Sequence, residues 1–234
     1  MKKLLSFIAP FIISTAVYAQ PALQWQKCFG GINDEVANCV RKTTDGGYIA
    51  CGKNSFNNGD VTGNHGFGDF WVVKMSATGS MEWQKSLGGT GDDIASSIIQ
   101  TSDGGYIVTG YTSSNDGDVT GLHGLLSDDY WVVKLTSTGT ISWQKCYGGG
   151  GSERATAIQQ ATDGGYIVAG YSNSPVSGDI TVHHGLDDIW VIKITSTGAL
   201  TWEKSFGGTG VDVANAIQQT TDGGYIVAGY SDAT

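Results

Sequence analysis

Internal repetition constrains this chain more than any other feature. Asp-Gly-Gly-Tyr-Ile occurs at Asp45, Asp103, Asp163 and Asp222, in steps of 58, 60 and 59 residues. Trp25, Trp83, Trp143 and Trp202 keep the same step, each opening Trp-Gln-Lys or Trp-Glu-Lys. Trp71, Trp131 and Trp190 head Trp-Val-Val-Lys or Trp-Val-Ile-Lys. A fixed period means that each unit is one supersecondary motif, which buries its apolar face only against its neighbours.

The unit from Asp92 to Gly148 shows what that motif is. Ile94–Thr101 runs into Asp103-Gly104-Gly105 and on to Tyr106–Tyr111, two β-prone stretches joined through an Asp-Gly turn. A polar loop precedes Asp129–Leu135, and a Thr-Ser-Thr-Gly turn precedes Ile141–Tyr147. Four short strands per period predict an all-β fold, a β-propeller of four-stranded antiparallel blades. Ala155–Gln160 carries good helix formers; a strand is expected there, because the Tyr-Ile-Val run needs a hairpin partner. The period exceeds that of WD and kelch repeats, and neither signature is present.

The string Gln-Gln-Thr-Thr-Asp-Gly-Gly-Tyr-Ile-Val-Ala-Gly-Tyr, with Gly-Asp-Val-Thr-Gly, Trp-Val-Val-Lys and Trp-Gln-Lys-Ser-Phe-Gly-Gly, resembles the roughly 60-residue β-propeller repeats of secreted bacterial proteins. Those proteins often end in a type IX secretion sorting domain. The resemblance spans about Leu23 to Ser231. It implies a fold and a surface or extracellular address, and it carries over no catalytic residue.

With strands a to d counted outward from the axis, the chain divides into a lone outer strand at 23–29, blades at 35–88, 93–148 and 153–207, and strands a and b of a partial blade at 211–231. About 3.5 blades result. A closing blade made of the partial blade and the lone strand would lack its c strand, leaving two open edges. The expectation is a truncated ring, belonging to a parent of six to eight units.

Residues 1–19 read as a signal peptide: Lys2 and Lys3, an apolar stretch from Leu4 to Ala16, and Val17-Tyr18-Ala19 before the cut. No Cys follows the cut, and no later run has the length of a membrane span. Export would take the net charge from −9 to −11, since both lysines leave with the signal. An acidic chain without a basic run argues against nucleic-acid and anionic-membrane partners.

Strand order gathers the d-to-a and b-to-c loops on one face. The d-to-a loops are acidic, carrying Asp34 and Glu35, Asp92 and Asp93, Glu153, and Asp212. The b-to-c loops repeat Asp60, His65 and Asp69; Asp118, His123 and Asp129; and Asp179, His184 and Asp188. Carboxylates at this density make Asp60, Asp69, Asp118, Asp129, Asp179 and Asp188 candidate Ca²⁺ ligands. The competing reading ties them into the loops through Asx-turns. The spacing matches no EF-hand or nonapeptide motif, and the three histidines sit on separate blades, which weakens a zinc reading. Paired-carboxylate catalysis needs one singular pair, whereas acids recur here in every unit. Glu153 beside Arg154 is a local departure that reads as a loop salt bridge. The seven tryptophans are expected to pack between blades rather than form a glycan platform.

Cys39 and Cys51 replace the small residues Ser97 and Thr109, Ala157 and Ala169, and Ala216 and Ala228 of the other units. A turn with Gly46 in the left-handed region would set them opposite, and export would allow a disulfide between them. Cys28 and Cys146 hold equivalent positions two blades apart and are expected to stay unpaired.

The expected function is a non-catalytic propeller, a scaffold or binding module of an exported or cell-surface bacterial protein that needs no cofactor. Two alternatives stand beside it. One is an adhesive propeller whose acidic loop face binds Ca²⁺ or glycan. The other is part of a secreted glycan-active enzyme.

Overall fold

The computed structural model describes residues 22–124 and 127–232, and it contains fourteen β-strands and no helix among them. The signal-peptide assignment lies outside the described residues. The first blade comprises β1 (Val36–Lys42), β2 (Tyr48–Asn54), β3 (Asp69–Met75) and β4 (Met81–Leu87). The second comprises β5 (Asp93–Gln100), β6 (Tyr106–Thr112), β7 (Asp129–Leu135) and β8 (Ile141–Tyr147). The third comprises β9 (Glu153–Gln160), β10 (Tyr166–Ser172), β11 (Asp188–Ile194) and β12 (Leu200–Phe206). A two-stranded sheet of β13 (Asp212–Gln219) and β14 (Tyr225–Ser231) ends the array. Every pairing is antiparallel between consecutive strands, so each sheet is a simple meander. Among the described residues no sheet closes on itself: the arrangement is propeller-like, with three and a half blades.

The four first strands converge on a common axis. Asn38, Ser96, Thr156 and Asn215, one from each, line a cavity of about 460 Å³. The helix-prone stretch Ala155–Gln160 is indeed strand, paired along β10.

Apolar cores lie between blades, not within them. On β7, Trp131, Val133 and Leu135 face the first blade and pack with Phe70, Val72 and Leu87. Tyr130 and Val132 face the third and pack with Trp190 and Ile192. Alternation with period 2 therefore buries both faces of the central strands, which is why they read as unbroken apolar runs. Aromatic contacts repeat with the blades. Phe70 meets Trp131 at 4.6 Å between centroids, and Tyr130 meets Trp190 at 4.7 Å. On the outer rim Trp83 meets Tyr106 at 5.7 Å, Trp143 meets Tyr166 at 6.3 Å and Trp202 meets Tyr225 at 6.0 Å. The tryptophans thus serve as packing between neighbours.

Residues 23–29 are not a strand in this structure. With no c strand beside it the segment has no ladder to join. It still takes the place of a preceding blade's outer edge, since Trp25 meets Tyr48 at 5.7 Å, as the other outer tryptophans meet their tyrosines.

Packing requires a glycine opposite the first-strand bulge. Gly110 stands opposite the bulge between Ala95 and Ser97, where an added Cβ would lie 1.9 Å from the Ile94 carbonyl oxygen. Gly170 meets Arg154 O in the same way at 2.0 Å.

Candidate functional site

The loop face is assembled from the expected residues, in an arrangement that separates them into two sets. Asp60, Asp118 and Asp179 accept the amide N–H of Gly30, Gly88 and Gly148 at 3.1, 3.3 and 3.2 Å. Each therefore anchors its own b-to-c loop to the d-to-a turn leading into its blade. Asp69 and Asp129 use Oδ2 to accept the amides of His65 and His123, both at 3.0 Å, and they meet the imidazole Nδ1 atoms at 2.7 and 2.6 Å. Asp188 accepts the His184 amide at 2.6 Å, with the rings of His183 and His184 both 3.4 Å away. Each of the six candidate Ca²⁺ ligands thus accepts from a protein donor, either in its own loop or in the adjoining d-to-a turn. No three His, Cys, Asp or Glu side chains gather closely enough to hold a metal ion among the described residues.

The structure joins two features that the sequence kept apart. At each junction, the Asp that opens a c strand lies beside the acid that opens the next blade's first strand. A Cβ added to Gly88 would lie 3.0 Å from Asp69 Oδ1 and 2.4 Å from Asp93 Oδ2. At Gly148 the distances are 2.7 Å to Asp129 Oδ1 and 2.3 Å to Glu153 Oε2, and at Gly207 they are 2.4 Å to Asp188 Oδ1 and 2.7 Å to Asp212 Oδ2. Glycine leaves the space in which the two carboxyl groups meet.

Asp93 accepts from the Gly89 amide at 2.8 Å, from the Ser114 hydroxyl at 2.9 Å and from Thr112. Glu153 accepts from the Gly149 amide and the Ser172 hydroxyl, both at 2.7 Å, and from Ser174 at 2.5 Å. Its adjacent Arg154 instead pairs with Asp128 at 2.6 Å and stacks over Tyr111. The expected Glu153–Arg154 bridge is absent because adjacent strand residues point to opposite faces. Burial raises both Asp93 and Asp129 to about 6 and also raises Asp69 and Glu153.

On the opposite face, the c-strand lysines form a motif that sequence reading missed. Lys74, Lys134 and Lys193 are buried, and their ammonium groups reach Asp45, Asp103 and Asp163 of the Asp-Gly turns, each at 2.8 Å. The signal was the shared period of Asp-Gly-Gly and Trp-Val-Val-Lys. The Lys134 ammonium and the Thr101 hydroxyl hold Asp103 down at about 2.

Cys39 and Cys51 stand directly opposite, with Gly46 at φ 85°, as the turn required. Both thiols are free, against the expected disulfide, as are Cys28 and Cys146. Thr43 N–H bonds to Gly47 O and Gly46 N–H to Thr43 O. Counting alternate pairs from that turn places residues 39 and 51 at a hydrogen-bonded position. The two side chains are nonetheless adjacent, and the contact with Cys51 lowers the Cys39 thiol to about 6.

No family model matches the chain, and no curated protein does. A solved structure from Bacteroides caccae, a protein of unknown function, is similar over 82% of this chain at 11% identity and a TM-score of 0.44. The chain spans about half of that neighbour, 52% of its length.

Proposed function

We propose that the chain is a non-catalytic β-propeller acting as a scaffold or binding module of an exported bacterial protein. One observation carries this reading: the polar residues that recur in every unit are used to fix turns, loops and blade junctions. A catalytic pair is singular, and its members are matched to opposite tasks, whereas the acid pairs of the loop face are copies of one another. The units differ along the axis. Asn38 is matched by Ser96, Thr156 and Asn215, and Arg41 by Ile99, Gln159 and Gln218. That variable polar channel is the surface on which a binding role would rest. The export signal and the likeness of the repeats to secreted bacterial propellers support the address.

The test is to incubate purified chain with a panel of polysaccharides, following new reducing ends, unsaturated products and retention on each glycan. Retention without turnover, weakened by Asn38→Ala and Asn215→Ala, is expected if the ligand is a glycan. Turnover that disappears in Glu153→Gln would replace the reading with an enzymatic one.

A further inference from the structure

The junction carboxyl pairs leave an unfilled requirement. Asp69 Oδ1, Asp129 Oδ1 and Asp188 Oδ1 are buried and have no hydrogen-bond partner. Their side chains are 0, 0 and 1% exposed. A buried charged oxygen left unpaired costs several kcal/mol or more, yet this arrangement occurs three times. Each orphan and an oxygen of a second buried carboxyl both lie within 3.0 Å of the Cβ position that one glycine leaves empty. At the two inner junctions both acids are raised by burial, and like charges this near each other in a dry site are costly to ionise together. Something electrophilic belongs between them. A Ca²⁺ ion takes six to eight oxygen ligands at about 2.3–2.6 Å. Here the partner oxygen already accepts a backbone N–H, and no third carboxyl completes a metal set. A proton needs neither space nor further ligands.

We propose that each of the two inner junctions is a proton-binding site, with Oδ1 of Asp69 and of Asp129 carrying the proton beside the Asp93 and Glu153 carboxyls. The pair is held from four sides. His65 and His123 occupy the other oxygen of the proton-bearing Asp. Thr112 with Ser114, and Ser172 with Ser174, bind the partner. Asp118 and Asp179 cap the intervening glycine and add negative charge, which favours retention of the proton. The Cys146 thiol lies in the field of both Asp93 and Asp129, and the Tyr130 hydroxyl lies in that of Glu153 while donating to Trp190 O at 2.9 Å. At the last junction the Gly208 amide and Ser231 hold Asp212 ionised, and the proposal does not extend there.

The unfolded chain releases these protons near pH 4, and burial in the folded chain raises both, the one on Asp129 to about 6. Folding therefore takes up protons between those values, and stability falls as pH rises through that window. Each proton per chain lowers the folding equilibrium constant about tenfold per pH unit.

The test is denaturant unfolding of the full chain from pH 4.5 to 8, with Asp69→Asn and Asp129→Asn. The amide keeps an oxygen for the histidine and presents N–H where the orphan oxygen lies. The wild type is expected to weaken with rising pH. The double variant should lose most of that slope and match or exceed the wild type at pH 8. His65→Gln with His123→Gln should keep the slope, separating carboxyl from imidazole titration. If the variants do not fold, ¹³C NMR of labelled Asp and Glu carboxyls in the wild type decides. Carboxyl resonances titrating above pH 5 support the proposal, and all of them titrating below 4.5 overturns it. A wild type whose stability is flat or rises over the window also overturns it. So does a large Ca²⁺-induced rise in melting temperature at pH 7 that is lost in Asp69→Asn, which would put a metal ion where we place the proton.

Discussion

At the residue scale, the recurring side chains divide by electrostatic task. Lys134 is a buried cation whose counter-charge, Asp103, is largely exposed. Removing a partner from such a pair costs more than the pair contributes, because a desolvated ammonium remains. Asp103→Ala is expected to destabilise by about 1–3 kcal/mol at pH 7, whereas Lys134→Met should be far milder; urea midpoints of the two variants check this. Asp103 also fixes a pH sign opposite to that of the junction pairs. Its carboxyl is depressed in the fold, so its contribution is complete above pH 4 and lost as pH falls through about 2. The whole chain should therefore be most stable between the two windows, at mildly acidic pH. Backbone contact sets the other limit: Gly170→Ala forces a methyl against Arg154 O and the Tyr130 hydroxyl. A loss of 3 kcal/mol or more is expected from overpacking at this buried site, measured against Gly164→Ala, where the space is open but φ is positive.

At the element scale, burial from both sides separates strong strands from weak ones. β7 is buried along its entire length, while β14 has one neighbour and exposes Ile226 and Tyr230. Few apolar contacts and an open edge mean low local stability. Amide hydrogen exchange in β13 and β14 should run at least about tenfold faster than in β9 to β11, and equal rates would show an additional partner on that edge. The strands were legible because period-2 runs and Asp-Gly turns are local signals. The lone segment at 23–29 shows the limit of such signals: Trp-Gln-Lys has strand character, and strand geometry still needs a partner. The junctions were legible only in part. Asp69 and Asp93 each stood out as loop acids, but their meeting depends on two loops and the absence of a side chain at Gly88. The same holds for Cys39 and Cys51, where the register was readable and the free state of the two thiols was not.

At the scale of the whole molecule, the two inner junctions use the same parts in the same order: acid pair, Phe or Tyr on Trp, and outer Trp on Tyr. Stability in such an array is a sum of blades and nearest-neighbour interfaces. Removing residues 93–152 would place Asp69 beside Glu153, Phe70 beside Trp190 and Trp83 beside Tyr166. The shortened chain is expected to fold, with the intact third blade giving near-wild-type circular dichroism per residue. Failure to fold would mean that curvature of the ring, and not the pairwise interfaces, sets what is allowed.

The matching junctions also have a hereditary consequence. Because a cut at Asp93 and a cut at Glu153 expose the same chemistry, unequal crossing-over between two copies of the coding DNA adds or deletes a unit without creating an unfamiliar interface. Blade number can then drift freely while each junction is preserved by the same few codons. The acid pairs and their glycine act as the phase marks of that exchange, since a recombinant out of step by even one residue would turn the carboxyl away from its partner.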